Sequence, residues 1–397
     1  MQEQARYLII GGGVASVCAA QAIREHDTDG RILIVREEAH VPYDRPPLSK
    51  GFLKNNDVNI DDISSKYEVF YTDNHIDRKL GCSVTALDPE KHIATCSDGT
   101  VVEFEKVLIA TGSRAKIPDV PGVNLPGVFP LRSMDDAESI RQALGTATHV
   151  LIVGSGYMAF EIASACLTLG KTVDIVTQDP QPWVSFATSA TGQFVADFMQ
   201  NAGVALHAHS PLHSIEPGLA VKAGEKEFSA DLVILATGIV PNVELAYDAG
   251  LRVDPAHGII VNDYLLATTD VYVAGDVAYF EGEPRGRSGE HHLNAKWQGA
   301  IAGANMAGQN LTYDRVPYFW TDFLDQHMIL RGSPDGAHAA KVLGDREKGE
   351  FTELYADAHG NLRMAIAFSH DEPSLDKLSD RLEAHMGQPV DTFVAEA

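Results

Sequence analysis

The sequence predicts an α/β protein with two similar strand–turn–helix units, followed by a separate α+β domain. Two glycine-rich turns, at residues 11–16 and 154–159, each follow an apolar run typical of a strand and open a stretch typical of a helix. Strand and helix patterns then alternate along most of the chain, which is the order typical of a parallel sheet. Two later strand-like runs both end in Ala-Thr-Gly, so the chain also contains an internal repeat.

Length and composition exclude several classes of protein. The 397 residues are too many for one hydrophobic core, and we expect two or three domains. The formal net charge of −24 would repel phosphate backbones, so we predict no binding to nucleic acid. No apolar run is long enough to cross a membrane, and the first residues show no signal-peptide pattern. We therefore expect a cytoplasmic protein that does not associate with membranes.

The first turn has the glycine spacing of a phosphate-binding loop. In such a loop Gly11 makes the bend and Gly13 lets the backbone approach a pyrophosphate, which faces the free N–H groups of the following helix. The next strand, at 32–35, ends close to Glu37, whose carboxylate we expect to bind the ribose hydroxyls of an adenosine.

The second turn repeats this arrangement with Gly154 and Gly156 after a strand at 150–153. Both units therefore predict a Rossmann-like dinucleotide-binding domain. One such turn indicates one dinucleotide, and two turns in one chain indicate two. The usual reason to hold two dinucleotides is to pass a hydride between them.

The order of elements divides the chain into three domains. A strand-like run at 271–276 that ends in Gly-Asp, and a helix from about 294 to 306, indicate that the first domain resumes after the second. Antiparallel strands at 351–355 and 362–368, followed by a helix at 373–386, predict the α+β domain. The predicted boundaries are 1–115 and 242–318 for the discontinuous first domain, 116–241 for the second and 319–397 for the last.

Several motifs together carry a resemblance to one family. They are the turn at 11–16, the string Pro-Tyr-Asp-Arg-Pro-Pro-Leu-Ser-Lys at 42–50, both Ala-Thr-Gly turns, and Ala-Gly-Asp at 274–276. In these motifs the chain resembles the two-dinucleotide flavoprotein reductases without a redox disulfide, which include rubredoxin and ferredoxin reductases and apoptosis-inducing factor. The resemblance covers residues 7–331, and the last domain is similar only in its order of strands and helix.

The resemblance implies FAD in the first unit and a nicotinamide nucleotide in the second. By resemblance, Asp276 accepts hydrogen bonds from the ribityl or pyrophosphate region, and Trp320 lies beside the isoalloxazine. The residues implied for FAD are Gly11, Gly13, Ala15, Glu37, Arg45, Lys50, Ala110, Thr111, Gly112, Arg132, Gly275, Asp276, His291 and Trp320. The residues implied for the nicotinamide nucleotide are Gly154, Gly156, Tyr157, Met158, Gly238 and Glu290.

Lys50 and Glu161 are the predicted catalytic residues. By resemblance, Lys50 lies near the flavin N5 atom, and Glu161 matches the position of its partner at the start of the helix after the second turn. A carboxylate within ~4–6 Å would keep the lysine charged and hold it against the flavin. The alternative is that Glu161 only complements the dipole of its helix.

The strand after the second turn departs from the family pattern. NADH-specific members usually end it in glutamate, whereas here Thr177 and Gln178 follow a strand at 173–176. A 2′-phosphate would require arginine or lysine, and residues 177–184 contain neither. We therefore favour NADH over NADPH, with Gln178 or Thr177 bonding the ribose.

The cysteines exclude a disulfide-based mechanism. Their spacings contain no Cys-x-x-Cys and no Cys-x-x-x-x-Cys, so we expect neither a redox disulfide nor a zinc site. His207, His209 and His213 have no carboxylate or cysteine at ligand spacing, and we predict no metal. Electrons must then leave the flavin directly for an external acceptor.

The predicted function is that of a FAD-dependent NAD(P)H oxidoreductase, monomeric or homodimeric, that reduces a small carrier such as rubredoxin or ferredoxin. Such carriers are often acidic, so an acidic reductase needs a local basic face. The candidates for it are Arg285, Arg287, Arg315 and Arg331. Two alternatives stay open: reduction of a quinone or oxygen, and redox sensing of the apoptosis-inducing-factor type.

Overall fold

The computed structural model describes residues 1–281 and 290–395. Its strands are β1 (Gln2–Ile10), β2 (Ile32–Arg36), β3 (Ile76–Leu80), β4 (Val84–Asp88), β5 (Ile93–Cys96), β6 (Val101–Ile109), β7 (Ser113–Ala115), β8 (Val128–Pro130), β9 (His149–Val153), β10 (Thr172–Val176), β11 (Val204–His207), β12 (Leu212–Glu216), β13 (Ala220–Ala223), β14 (Lys226–Ser229), β15 (Leu232–Leu235), β16 (Ile239–Pro241), β17 (Val253–Asp254), β18 (Gly258–Ile260), β19 (Leu266–Thr268), β20 (Val271–Val273), β21 (Ala278–Tyr279), β22 (Tyr318–Phe323), β23 (Gln326–Gly332), β24 (His338–Asp345), β25 (Glu350–Ala356) and β26 (Leu362–Ser369). Its helices are α1 (Val14–His26), α2 (Gly51–Lys54), α3 (Glu68–Asp73), α4 (Met134–Leu144), α5 (Tyr157–Thr168), α6 (Ser189–Asn201), α7 (Glu244–Asp248), α8 (His292–Met306), α9 (Glu372–His385) and α10 (Val390–Ala395).

The chain forms two compact units, each assembled from three separate stretches. Unit 1 comprises Met1–Asp44, Ile60–Arg114 and Val240–Tyr318, and unit 2 comprises Arg45–Asn59, Ala115–Ile239 and Phe319–Ala397. Residues 45–59, which the sequence analysis assigns to the first domain, thus cluster with the second and last predicted domains. The division into three domains stays a prediction.

Unit 1 is built on a mainly parallel sheet. Its strand order is β19-β20-β6-β1-β2-β3, with β4 and β5 as an antiparallel extension of β6. Strand β1 pairs in parallel with β2 and β6, and its residues Leu8 and Ile9 are fully buried. Because a strand in such a sheet is covered on both faces, it reads as a continuous apolar run rather than an alternating one. Strand β1 begins at Gln2, well before the apolar run, and its polar start pairs with Val101–Phe104.

Helices α1 and α8 approach each other at backbone distance. A Cβ atom at Gly299 would lie 2.2 Å from the carbonyl oxygen of Ala15, and one at Gly303 would lie 2.3 Å from that of Ala19. Real Cβ atoms do not come this close, so the two glycines on α8 are a steric requirement of the packing. Helix α1 is the helix that opens at the first glycine turn, so this contact fixes the turn in place.

Replacing Gly303 with alanine should therefore destabilise the protein by about 1–3 kcal/mol, because the added methyl group forces α8 away from α1. Thermal unfolding followed by circular dichroism measures the effect. Ala300 lies on the exposed side of the same helix, and Ala300→Ser should change the unfolding free energy by less than about 0.5 kcal/mol. Equal stability of the two variants would contradict the packing argument.

Unit 2 contains a parallel sheet and an antiparallel sheet. The parallel sheet has the order β11-β10-β9-β15-β8, and helix α5 follows β9 directly. The antiparallel sheet has the order β22-β23-β26-β25-β24, and helix α9 packs on β23 and β26. The predicted fold class, two Rossmann-like domains with a C-terminal α+β domain, is confirmed.

A buried carboxylate joins α6 to the antiparallel sheet inside unit 2. Glu353 is 2% exposed and accepts hydrogen bonds from the hydroxyls of Thr188 (2.8 Å), Thr191 (2.5 Å) and Tyr355 (3.0 Å). Arg346 completes the cluster with an ion pair of 3.0 Å. Burial and the adjacent carboxylate raise the pKa of the Tyr355 phenol, so it stays a donor at all physiological pH values.

None of the helices within the described ranges combines the length and the apolar character that crossing a membrane requires.

Candidate active site

The first glycine turn has the shape of a phosphate cradle. Gly11 has φ +120°, and a Cβ there would lie 2.1 Å from the carbonyl oxygen of Ala110. By contrast, a Cβ at Gly13 would meet no heavy atom within 4 Å, so the backbone in front of α1 is open. Gly13 is the N-cap of α1 and has no side chain to bond the first N–H groups of the helix. The turn thus offers unobstructed donors to a pyrophosphate.

The second turn has nearly the same geometry in unit 2. Gly154 has φ +118°, and a Cβ there would lie 2.2 Å from the carbonyl oxygen of Ala236, while Gly156 again faces open space. Ala110 and Ala236 begin the two Ala-Thr-Gly sequences. The internal repeat therefore has a steric explanation, since each Ala-Thr-Gly sequence supplies the carbonyl that lies behind a glycine turn.

The end of β2 carries an arginine that sequence reasoning missed. Arg36 is 3% exposed, donates to the carbonyl oxygen of Gly12 (3.0 Å) and pairs with Glu38 (3.1 Å). Its guanidinium lies over the ring of Tyr43, whose hydroxyl donates to Glu38. Glu37 is exposed at the same strand end, and its role in ribose binding stays a prediction.

The Ala-Gly-Asp motif lies beside the first turn. The carboxylate of Asp276 accepts a hydrogen bond from Ser113 (2.8 Å), and the N–H of Gly275 donates to Gln298 of α8 (2.8 Å). A Cβ at Gly275 would lie 3.3 Å from the Cβ of Ala15. Glycine at this position, with φ +84°, thus lets the motif approach the start of α1, and its contact with the cofactor stays a prediction.

His291 precedes helix α8 and is neutral at physiological pH. Burial lowers its pKa to about 4, although the negative charge of Asp276 acts in the opposite direction. Burial also lowers the pKa of His292. A neutral imidazole can accept one hydrogen bond and donate another, so His291 is suited to a polar edge of a cofactor ring.

This pKa gives the stability a defined pH dependence. Between pH 6.5 and 4 the unfolded chain binds a proton at His291 that the folded protein does not, so the free energy of unfolding falls by about 1.4 kcal/mol per pH unit. Above pH 6.5 His291 is neutral in both states, and its contribution to the free energy of unfolding no longer changes with pH. We expect His291→Gln to remove this part of the slope in urea unfolding at pH 7, 6 and 5. An equally steep decline in the variant would contradict the assignment.

The predicted catalytic pair forms in unit 2. Lys50 Nζ lies 2.7 Å from Glu161 Oε1, and the Glu161 side chain is 5% exposed. Ser49 donates to Oε2 of the same carboxylate, and Thr321 of β22 donates to Oε1 at 2.6 Å. Both oxygens of this buried carboxylate are therefore paired with donors, as burial of a polar group requires. The sequence predicted the ion pair but not the two hydroxyls.

Arg45 and Arg132 are also brought together in unit 2. Arg45 Nη1 donates to the backbone oxygen of Arg132 at 2.5 Å. The N–H groups of Arg132 and Ser133 both donate to Asp136, and Ser133 caps helix α4. The backbone at Arg132 is thus held by the start of a helix on one side and by Arg45 on the other.

The predicted cofactor residues are divided between the two units. Those in unit 1 are Gly11, Gly13, Ala15, Glu37, Ala110, Thr111, Gly112, Gly275, Asp276, Glu290 and His291. Those in unit 2 are Arg45, Lys50, Arg132, Gly154, Gly156, Tyr157, Met158, Glu161, Gln178, Gly238 and Trp320. Within unit 2 the ring of Tyr157 contacts that of Phe319, next to Trp320 in β22. Gln178 is exposed.

Two side-chain clusters bring together residues from different stretches of the chain. The sulfur atoms of Cys82 and Cys96 and a carboxylate oxygen of Asp98 lie within 4.8 Å of one another. In unit 2, Asp174 bonds His149 (2.5 Å) and His207 (2.6 Å), one through each carboxylate oxygen. Sequence spacing hid both clusters, because strand pairing rather than chain proximity creates them.

Comparison with known proteins gives a consistent result. A family model of pyridine nucleotide-disulphide oxidoreductases matches residues 5–302. The rubredoxin–NAD(+) reductase of Pseudomonas putida is 32% identical over 336 residues, covering 82% of this chain and 85% of the relative. The ferredoxin–NAD(+) reductase subunit of the benzene 1,2-dioxygenase system of Pseudomonas putida is 31% identical over 389 residues, covering 94% and 91%. The crystal structure of the ferredoxin reductase of the CYP199A2 system of Rhodopseudomonas palustris has a TM-score of 0.85 at 30% identity, over 92% of this chain and 91% of that chain.

Two dinucleotide cradles on parallel sheets, together with the lysine–carboxylate pair, define a two-nucleotide flavoprotein oxidoreductase. The chain belongs to the pyridine nucleotide-disulphide oxidoreductase family. Its cofactors are FAD and NADH, as the sequence predicts. The open glycine at each turn fits a pyrophosphate in both units.

Proposed function

We propose that the protein takes hydride from NADH and passes electrons one at a time to a small iron–sulfur carrier protein. The observation that carries this proposal is the pair of matched phosphate cradles, combined with the Lys50–Glu161 ion pair. FAD, when bound, would supply the acceptor for one hydride, which carries two electrons, and could release these two electrons one at a time. The relatives named rubredoxin and ferredoxin reductases support the choice of acceptor.

In this mechanism the protein supplies position and charge. Glu161 holds Lys50 Nζ at a fixed point, while the hydroxyls of Ser49 and Thr321 prevent the carboxylate from rotating away. A fixed ammonium group favours the build-up of negative charge close to it, which is the change that accompanies reduction of an uncharged ring.

The thiols support direct electron release. All four cysteines are free, and Cys166 on α5 is fully buried, with its pKa raised to about 12 by burial. A thiol with such a pKa stays protonated and is a poor nucleophile. Cys96 is also buried, and its pKa is raised to about 11. Free cysteines are typical of a reducing compartment, which supports the proposal that the protein works in the cytoplasm.

Only part of the predicted basic face remains available. Arg331 is 5% exposed, and its guanidinium forms an ion pair with Glu383 at 2.9 Å. Because it is buried and paired, it does not contribute a surface charge, and its prediction as part of the basic face is wrong. Arg315 is exposed and its guanidinium lies over the ring of Trp297. Arg285 and Arg287 lie outside the described residues.

Anaerobic stopped-flow reduction of the yellow holoprotein by NADH tests the first half of the proposal. We expect rapid bleaching of the flavin band with NADH and slower bleaching with NADPH. Addition of rubredoxin or a [2Fe–2S] ferredoxin should then reoxidise the flavin and restore its absorption band rapidly. Oxygen or a quinone should reoxidise the flavin slowly. Absence of bleaching by NADH would contradict the proposal, and a long-lived reduced state with every carrier would favour a redox sensor.

A further inference from the structure

Strand pairing in unit 1 brings two thiols and a carboxylate to one point. The sulfur atoms of Cys82 and Cys96 and a carboxylate oxygen of Asp98 lie within 4.8 Å of one another. Strand β4 pairs with β5 so that Val84 lies opposite Cys96, and Cys82 therefore lies beside the chain that leaves β5. The spacing argument against a zinc site does not apply to these residues, because the pairing of two strands brings them together.

The backbone fixes the two sulfur atoms in place. The N–H of Cys82 donates to the carbonyl oxygen of Arg36 (2.9 Å), and the N–H of Ser97 donates to that of Ser83 (2.8 Å). The second of these bonds joins the stretch that contains Cys82 to the stretch that contains Cys96. Cys82 is 5% exposed and Cys96 is 2% exposed. Two sulfur atoms held close together by separate stretches of chain form a preformed pair of soft ligands.

Asp98 is oriented by partners outside the cluster. Its Oδ1 atom accepts a hydrogen bond from the N–H of Thr100 (2.9 Å), and its Oδ2 atom lies 2.8 Å from Lys79 Nζ. Lys79 is also fixed, because its Nζ donates to the hydroxyl of Thr100 at 2.8 Å. Carboxylates that ligate a metal are held by outer hydrogen bonds of this kind. The Asp98 side chain is 44% exposed, so an ion can reach the site from solvent.

We infer that Cys82, Cys96 and Asp98 bind one divalent ion of the zinc class, with water in the fourth position. Thiolate sulfur and carboxylate oxygen are both ligands of zinc, and tetrahedral Zn–S bonds of about 2.3 Å separate two sulfur atoms by about 3.8 Å. This separation lies inside the observed limit of 4.8 Å. Both thiols release their protons to solvent as the ion binds, because the thiolate is the form that ligates. The inference does not depend on the proposed function.

The charges at the site balance for a divalent ion. Two thiolates and one carboxylate bring three negative charges, so a divalent ion leaves one negative charge, which the ammonium group of Lys79 neutralises. Glu3 is further from that ammonium group, at 3.7 Å, and its side chain is partly exposed, so water screens it. Calcium and magnesium prefer oxygen ligands, and the two sulfur atoms therefore favour zinc over both.

A bound ion would join the turn between β5 and β6 to the end of β2. Cys96 and Asp98 flank the start of that turn, whereas Cys82 bonds the carbonyl oxygen of Arg36, the last residue of β2. Arg36 in turn donates to the carbonyl oxygen of Gly12 in the first glycine turn (3.0 Å). Because the three ligands come together only in the folded chain, binding of the ion should stabilise unit 1 against unfolding.

Titration of the metal-free, FAD-loaded protein with cobalt(II), with its thiols kept reduced, tests the inference. A tetrahedral thiolate site gives cobalt strong absorption in the red, beyond the flavin band. We expect this absorption to reach a plateau at one ion per chain and to disappear when zinc is added. Cys82→Ser should weaken binding more than about 100-fold, since loss of an outer hydrogen bond alone costs about 10- to 100-fold. Asp98→Asn should weaken it at least about tenfold.

The chain offers matched controls for both kinds of ligand. Cys18→Ser removes a thiol from α1, and Asp88→Asn removes a partly exposed carboxylate from β4. Both variants should bind cobalt as the wild type does. Absence of the red absorption in the wild type, or equal absorption in Cys82→Ser, would overturn the inference. Weak absorption typical of octahedral oxygen and nitrogen ligands would also overturn it, because the ion would then be bound elsewhere.

Thermal unfolding provides a second measurement that does not use cobalt. Zinc at a free concentration about a hundredfold above its dissociation constant should raise the unfolding temperature of the wild type by about 5 °C. A chelator should reverse the shift. Cys96→Ser should show no shift with zinc, whatever its stability without metal, and it carries the test if Cys82→Ser fails to fold. A shift of the same size in Cys96→Ser would contradict the assignment.

Discussion

Replacing Gly154 with alanine should abolish reduction by NADH while leaving FAD bound, and replacing Gly11 with alanine should abolish FAD binding. Each added Cβ would lie about 2 Å from a backbone carbonyl oxygen, 2.2 Å at Gly154 and 2.1 Å at Gly11. Neither carbonyl can move, because Ala110 and Ala236 follow the central strands of their sheets. The turn itself must therefore shift, and with it the N–H groups that face the pyrophosphate.

Two glycines provide matched controls. Gly99 in unit 1 and Gly218 in unit 2 also have positive φ, +80° and +83°, but a Cβ at either would meet nothing within 4 Å. An alanine at either position would be strained by about 1–2 kcal/mol because of the positive φ angle, but its Cβ would not clash with the backbone. Flavin content per chain and the NADH reduction rate should stay near wild type in both. A similar loss in the controls would mean that strain, and not the cradle, explains the effect.

Removing the charge of Glu161 should slow reduction by NADH about 10- to 100-fold with FAD still bound. Glu161→Gln keeps the shape of the side chain but removes its negative charge. The ion pair between Glu161 Oε1 and Lys50 Nζ, which are 2.7 Å apart, is therefore lost. A hydrogen bond to a charged group contributes about 1.5–3 kcal/mol, which corresponds to this range of rates. Lys50→Ala should give a similar decrease, because it removes the ammonium group that Glu161→Gln leaves without its fixing charge.

The measurement is the anaerobic rate constant for bleaching of the flavin band, together with the flavin content. Lys54→Ala removes an exposed lysine at the end of α2 and serves as the control. Thr321→Val removes one donor to Glu161 but leaves the ion pair, so its effect should be smaller than that of Glu161→Gln. Unchanged rate constants in both Lys50→Ala and Glu161→Gln would contradict the catalytic assignment.

The sequence predicted features that depend on local spacing. The two glycine turns, the strands before them and the helices after them were all readable, because a bend at Gly11 or Gly154 and a helix start are properties of a few consecutive residues. The Lys50–Glu161 pair was also predicted, but only through a family resemblance. No spacing rule joins two residues that the fold brings from separate stretches of chain.

Sequence reasoning missed two kinds of feature. One is a contact between residues far apart in the chain, and the other is a polar segment that extends an apolar strand. Thr321 of β22 reaches Glu161 on helix α5, and nothing in the local sequence of β22 marks that hydroxyl. The start of β1 is polar because it pairs beyond the buried part of the sheet.

The contact between α1 and α8 has a consequence for synthesis of the chain. Helix α1 emerges from the ribosome early, yet the surface that covers its small residues is provided by Gly299 and Gly303, nearly 300 residues later. Until α8 is made, the surface of α1 that α8 covers stays exposed. A contact between residues so far apart in the sequence also forms slowly. We therefore expect the nascent chain to depend on chaperones until α8 has been translated. FAD should bind slowly, and only after the chain is complete, although the first glycine turn is synthesised early.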